Sequence, residues 1–390
     1  MNTRMTTGMT TGMTTRTTTR RSALHMLGAA AGALLLPPMA LAASPSAGPE
    51  PLKDIAAKKG MRFGNALGKV GGPAYRALMA RECNLIVAEN ETKWPALQPR
   101  PGPHQFAVPD EMFAWAKKEG MAVRGHTLIW QSPKWLPAWV NAYDFGAQPK
   151  QAAERLLAEH IKAVCGHFGK DIISYDVVNE AVNPADGALI DNVFSQRLGA
   201  VGEIDLAFRL AHEHAPHAQL VYNDYMGPGA GSAKHRAGVL KLLQDLRARD
   251  TPVHALGLQS HIGDSLPPAN TAAGSEWRKF LDEVTGMGYD LLITEFDVND
   301  RKLPADFAQR DAGVAALARD YLDLTLSYPR CRDFLLWGMA DHVNWLQTWK
   351  EAARPDGKAQ RPTPFDDQLR AKPLRDAIAK ALQDMPQRAA

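Results

Sequence analysis

From residue 55 onward, short β-rich runs alternate with segments of helical period, and that alternation leaves few folds open. Strands are expected at Met61–Ala66, Leu85–Ala88, Ala122–His126, Ile172–Asn179, Gln219–Asn223, Ala255–Gln259, Leu291–Glu295 and Phe334–Trp337. Amphipathic segments lie between them, for instance at Gln151–Phe168, Ile204–His214, Ser232–Ala248, Glu276–Met287 and Asp306–Leu326. A last one, Leu374–Gln383, would close a ring. Eight strands alternating with eight helices predict an α/β fold, a single (β/α)8 barrel over residues 55–385. A doubly wound open sheet would want a glycine-rich phosphate loop after its first strand. Gly64-Asn65-Ala66-Leu67-Gly68 is not such a loop. No linker, internal repeat or second module interrupts this span, so one domain is expected.

Two of the expected strands run into a glutamate. Ile172–Asn179 leads into Glu180, and Leu291-Leu292-Ile293-Thr294 into Glu295. A carboxylate at the end of an apolar strand is badly placed for packing and well placed to enter a pocket. A lone glutamate there has a plain alternative, a structural salt bridge. Two brought together by one barrel can form the acid/base and nucleophile pair of a retaining glycosidase.

The other strand ends are also polar and aromatic. The second leads into Glu89-Asn90-Glu91-Thr92-Lys93-Trp94, and the third into Arg124-Gly125-His126-Thr127-Leu128-Ile129-Trp130. The fifth gives Tyr222-Asn223-Asp224-Tyr225, the sixth Gln259-Ser260-His261, and the seventh continues to Phe296-Asp297. The eighth gives Trp337-Gly338-Met339-Ala340-Asp341, with Trp345 following. This series, in this order, resembles the family 10 glycoside hydrolases, chiefly xylanases, across essentially all of residues 55–385.

The resemblance implies an endo-1,4-β-xylanase acting on xylan and xylo-oligosaccharides with retention and without a cofactor. Glu180 would be the general acid and then the base, and Glu295 the nucleophile. His261 and Asp297 would support Glu295, and Asn179 would bind the sugar 2-hydroxyl. Glu89, Asn90, Lys93, His126, Trp130 and Gln259 match sugar-binding residues on the glycone side. Trp337 and Trp345 match the aromatic platform, and Asn223 and Tyr225 are expected on the aglycone side. His126 has a buried structural role as its alternative, and Trp135 and Trp139 fit loop packing. The chain departs from the family pattern after Trp130. A histidine is usual there, whereas this chain runs Gln131-Ser132-Pro133-Lys134-Trp135-Leu136-Pro137, about two residues longer before Trp139.

Other functions fit less well. A β-glucanase of the same clan differs only by crowding near the glycone sites, and a non-catalytic xylan-binding barrel would lack one of the glutamates. A metal-dependent barrel hydrolase would want His-x-His where Gly64-Asn65-Ala66 stands, so no metal is expected. A net charge of +3 is too small to point to nucleic acid or a membrane surface. A monomer is the expectation. Three cysteines without close spacing, Cys83, Cys165 and Cys331, predict buried free thiols rather than a disulfide framework.

The N-terminus predicts export. Residues 1–43 combine Met/Thr/Gly/Arg low complexity with Arg20-Arg21, an apolar stretch from Leu27 and the small-residue pattern Ala40-Leu41-Ala42. The paired arginines resemble a twin-arginine signal of a bacterial periplasmic or secreted protein. The apolar stretch, broken by Pro37 and Pro38, is too short to span a membrane. Residues 44–54 are expected to be a flexible leader.

Overall fold

The computed structural model describes residues 48–388 apart from Val70, residues 264–271 and the side chains of 272–274. The expected signal segment, residues 1–43, lies outside the described residues, as do residues 44–47 of the leader. The barrel strands are β1 (Arg62–Leu67), β2 (Leu85–Ala88), β3 (Ala122–Trp130), β4 (Ile172–Asn179), β5 (Gln219–Asp224), β6 (Ala255–Leu258), β7 (Asp290–Val298) and β8 (Cys331–Leu336). Each pairs in parallel with the next, and β8 pairs with β1, so the sheet closes. The helices that follow are α1 (Pro73–Glu82), α2 (Ala107–Lys118), α3 (Pro149–Phe168), α4 (Ala200–His214), α5 (Ala233–Ala248), α6 (Ala272–Gly286), α7 (Phe307–Thr325) and α8 (Pro373–Asp384).

Local chemistry accounts for these elements. All four residues of β2, Leu-Ile-Val-Ala, are buried, as parallel strands covered on both faces require. Helix α3 opens on Pro149, whose missing N–H costs nothing at a helix start. It buries Ala153, Leu157, Ile161, Val164 and Phe168 along one stripe and stops at Gly169, which turns at φ 51°. The large apolar core lies between sheet and helices. Two smaller clusters lie on the alternate strand positions, Ala66–Leu85–Val87–Leu335–Trp337 and Val221–Ala255–Leu292. That parity is the barrel interior.

The interior is also charged. Arg124 of β3 and Asp176 of β4, both essentially unexposed, pair at 2.5 Å, and Asp176 also holds His126 Nδ1 at 2.9 Å. Cys83, Cys165 and Cys331 are free and buried.

Both expected limits of the domain move outward. Leu52–Ala57 is a short helix that packs on α8, Leu52 is fully buried, and its N–H donates to Glu82 at 2.9 Å. Residues 52–54 therefore belong to the barrel rather than to a flexible leader, because Leu52 and Ile55 cover its core. At the other end Arg388 donates from its backbone to Lys59 O and from its side chain to Leu326 O and Cys331 O.

Candidate active site

Strand irregularities aim the polar residues. The β3–β4 register slips between His126 and Ile129, and the β4–β5 register between Asp176 and Val178. The β7–β8 register slips between Ile293 and Phe296. An extra residue in a strand rotates the side chains beyond it, which is how strand ends re-aim groups near a site. Strand β7 runs on to Val298 instead of ending at Glu295, and the two-residue strand His261–Ile262 pairs beside Asp297 and Val298. Glu180 leaves β4 in the left-handed backbone region, φ 56°, with its N–H donated to Asn223 O at 2.9 Å. A non-glycine residue there is strained by about 1–3 kcal/mol, a cost the surrounding ladder must hold.

The two glutamates sit in opposite environments. Glu295 is 5% exposed. Asn223 Nδ2 donates to its Oε1 at 2.8 Å, and His261 Nε2 lies 3.3 Å from its Oε2. Burial alone would raise its pKa. The hydrogen bond from His261 and the positive field of His126, His261 and Lys93 overcome burial and hold the carboxyl at about 2. Glu180 accepts Trp130 Nε1 at 3.0 Å and Gln259 Nε2 at 2.9 Å. Burial, helped by the negative charge of Asp224 and Glu295, pushes it above the ordinary value in spite of those two donors.

One hydrogen-bonded chain links the pair. From Glu295 Oε1 it runs through Asn223 Nδ2 to Asn179 Oδ1, 2.9 Å away, then to Gln259 Nε2 at 3.3 Å and on to Glu180. Asn223 is fully buried, with its Oδ1 accepting Thr294 Oγ1 at 2.7 Å. It is thus a support of Glu295, and the aglycone contact expected of it is corrected: all of its polar atoms are taken up inside the barrel. Tyr225, by contrast, is 39% exposed. Asn179 Nδ2 is buried and has no partner among the described residues.

Behind Glu295, His261 Nδ1 lies 2.9 Å from Asp297 Oδ1. Burial opposes a charge on this imidazole, but Asp297 and Glu295 raise it to about 10. Asp297 Oδ2 also accepts Trp345 Nε1 at 2.7 Å and Asn344 Nδ2 at 3.0 Å. His126 is 2% exposed and spends its Nδ1 on Asp176, 4.0 Å from Glu295 by the same nitrogen. Lys93 donates to Asn90 at 2.8 Å and lies 4.6 Å from the centre of the Trp130 ring, in the field of Glu295, Glu89 and Glu180. Trp135 stacks on Trp130 at 4.5 Å and is 39% exposed, while Trp139 turns inward to Gln98 O. Trp337 is buried against His126, ring centres 5.3 Å apart, and Trp345 is half-buried beside His261.

Arg124, Asp176, Thr294, Asn344 and Asp224 also belong to this network. Asp224 accepts Tyr222 Oη and His235 Nε2, the latter at 2.9 Å. Arg124 and Asp176 carry no expected role in the sequence, because they stand inside apolar strands. That position was itself the signal, since a charge there must face a closed barrel's interior.

The comparisons with known proteins agree with this architecture. The chain is 30% identical over 292 residues to a "Beta-1,4-xylanase" of Dictyoglomus thermophilum, covering 72% of this chain and 78% of that protein. It is 33% identical over 270 residues to "Endo-1,4-beta-xylanase A" of Fusarium oxysporum f. sp. lycopersici, covering 68% and 79%. Among solved structures, native xylanase 10B from Thermotoga maritima superposes with a TM-score of 0.75 at 27% identity, over 85% of this chain and 98% of that one. Xylanase 10B from Thermotoga petrophila RKU-1, solved with xylobiose, gives 0.75 at 26% identity, over 85% and 97%. The family description "Glycosyl hydrolase family 10" matches residues 51–381, and the chain belongs to that family.

Proposed function

We propose that the protein is an exported endo-1,4-β-xylanase that cleaves internal xylosidic bonds with retention. The observation that carries the mechanism is the opposite bias of two glutamates joined by one hydrogen-bonded chain. Glu295, held at about 2, is ionised across the working range and suits a nucleophile. Glu180, held above the ordinary carboxylate value by burial, suits a proton donor.

In the first step Glu180 protonates the glycosidic oxygen while Glu295 attacks the anomeric carbon, giving a covalent glycosyl-enzyme. As the leaving chain departs, Glu180 becomes a carboxylate and takes a proton from water, which attacks the same carbon and releases Glu295. Two inversions leave a β product. The unpartnered Asn179 Nδ2 is offered to the sugar 2-hydroxyl, a contact that strengthens as the ring approaches an oxocarbenium ion. Lys93, Glu89, Asn90 and Gln259 supply polar contacts on the glycone side. The half-buried Trp345 offers an indole surface to a pyranose, and Tyr225 lies exposed on the aglycone side. The names of the relatives support xylan as the substrate, and the bound xylobiose of the Thermotoga petrophila enzyme supports the same sugar class. Export rests on Arg20-Arg21, the apolar stretch after them and Ala40-Leu41-Ala42.

Proton NMR of enzyme freshly mixed with xylohexaose, read before mutarotation, tests this. New β-anomer from internal cleavage is expected. Initial α-anomer would overturn Glu295 as nucleophile, and an intact substrate would overturn the choice of xylan.

A further inference from the structure

Glu203, in the first turn of α4, has no exposed surface and takes no part in the mechanism above. Its carboxylate accepts Gln131 Nε2 at 2.8 Å and Asn192 Nδ2 at 2.9 Å. Among the described residues no cation pairs with it.

These two amides tie Glu203 to both sides of Glu180. Gln131 directly follows Trp130, whose indole N–H donates to Glu180. Its backbone N–H donates to Asn179 O at 2.9 Å, and its Nε2 also donates to Ile190 O at 3.1 Å. Ile190 in turn donates to the carbonyl of Ala181, the residue after Glu180, at 2.9 Å. Asn192 Nδ2 donates to Gln131 O at 3.1 Å, while its Oδ1 accepts the N–H groups of Phe194 and Ser195. We propose that Glu203 is a positioning residue for the acid/base, acting through Gln131 on Trp130 and on the Ala181–Ile190 loop, and that protonation of Glu203 rearranges this hold. The proposal rests on Glu180 being the acid/base.

The rearrangement follows from donor counting. An ionised Glu203 accepts from both amides, which is the arrangement observed. A protonated Glu203 carries a donor that must find an acceptor. Asn192 cannot turn, because its Oδ1 caps two backbone N–H groups. Gln131 can, since its Oε1 is buried and has no partner among the described residues. Turning that amide satisfies the acid proton and strips Ile190 O of its side-chain donor. Burial first, then the negative Asp191 nearby, raises the Glu203 carboxyl to about 7 against the two amide donors, so both forms occur near neutrality. The other charged groups of the neighbouring elements are engaged elsewhere. Arg197 donates to Val193 O and lies over Phe145; His160 of α3 is held by His104 and Leu128 O; Asp205 accepts Arg209 and Thr251.

Glu203→Gln tests this, because its amide places a permanent donor where the protonated acid has one. The wild type should match the variant on xylohexaose below the Glu203 transition and exceed it above, by roughly tenfold, a fraction of what a general acid supplies. In kcat/KM on an activated aryl xylobioside, whose first step needs little acid assistance, the two should stay within about twofold at every pH. A ratio that does not change with pH, or equal losses on both substrates, would overturn the role. If Glu203→Gln does not fold, Gln131→Met removes the same amide and must lose activity with the same substrate preference. Glu180→Ala run in parallel separates the two ideas. Equal loss of kcat/KM there on both substrates sinks the acid/base assignment itself, whereas a selective Glu180→Ala beside an unselective Glu203→Gln sinks only the positioning role.

Discussion

His261→Asn is the substitution whose effect the structure quantifies best. Holding Glu295 at about 2 rather than at the ordinary 4.5 favours its ionised form by about 3 kcal/mol, at about 1.4 kcal/mol per tenfold. The largest single influence on Glu295 is burial, which acts the other way; His261 opposes it both by hydrogen bond and by charge. Asparagine fills similar space and can still donate one hydrogen bond, but it cannot carry the charge. His126 and Lys93 remain, so the carboxyl should return near its ordinary value. The acidic limb of kcat/KM reports the free-enzyme nucleophile, and on an activated aryl xylobioside Glu180 scarcely affects it. That limb should move up by about two pH units in the variant, with melting curves showing both proteins folded at each pH. An acidic limb at the same pH in both proteins would refute the claim that His261 sets the charge state of Glu295.

The same pair defines a stability window. Glu295 is depressed, so its contribution is present above the unfolded value of 4.5 and is lost as pH falls through about 2. His261 is raised, so its contribution is complete below 6.5 and is lost as pH rises through about 10. Both are intact between about 4.5 and 6.5, and His261→Asn should remove the alkaline part of that dependence.

Glu180→Ala should cut kcat/KM on xylan by about 10²–10⁴ while largely sparing kcat/KM on activated aryl xylobiosides, whose kcat falls because the second step still needs the base; equal loss of kcat/KM on both would remove it as the acid. Gly257→Ala would set a Cβ 2.2 Å from Asn223 Oδ1. Asn223 must then shift off Glu295, so turnover should fall in a protein destabilised by only about 1–3 kcal/mol, and wild-type turnover would contradict the support we assign to Asn223. Asp176→Ala strands Arg124 as an unpaired buried charge and should cost about 3–5 kcal/mol in denaturant unfolding; a loss below about 1 kcal/mol would show that solvent reaches the barrel interior.

Much of this protein is readable without its structure, and for a physical reason. A parallel strand covered on both faces must be a short apolar run, and the helix that returns the chain must carry one apolar stripe, so composition and period mark all eight units. A functional group has to stand where the strand ends, and Glu180, Gln259 and Tyr225 are therefore visible as polar breaks in apolar sequence. The order of those breaks identifies the family. Boundaries are less visible. Leu52 joins the core only because a helix and α8 happen to cover the same end of the barrel.

What the tertiary structure alone decides is which polar groups meet and how charge is shared among them. Asn223 reads as a substrate contact because it sits at a strand end, yet closure of the barrel turns it inward onto Glu295 and Asn179. Gln131 reads as a departure in a loop, and its partner Glu203 lies 72 residues away on a helix that no local pattern connects to it. The resemblance implies opposite protonation for Glu180 and Glu295, but the groups that impose it are likewise beyond the sequence. Both are glutamates after apolar strands, and they differ only because one is ringed by His261, His126 and Lys93 and the other by burial and Asp224. Local propensity is a property of neighbours along the chain, whereas an acidity constant is set by neighbours in space.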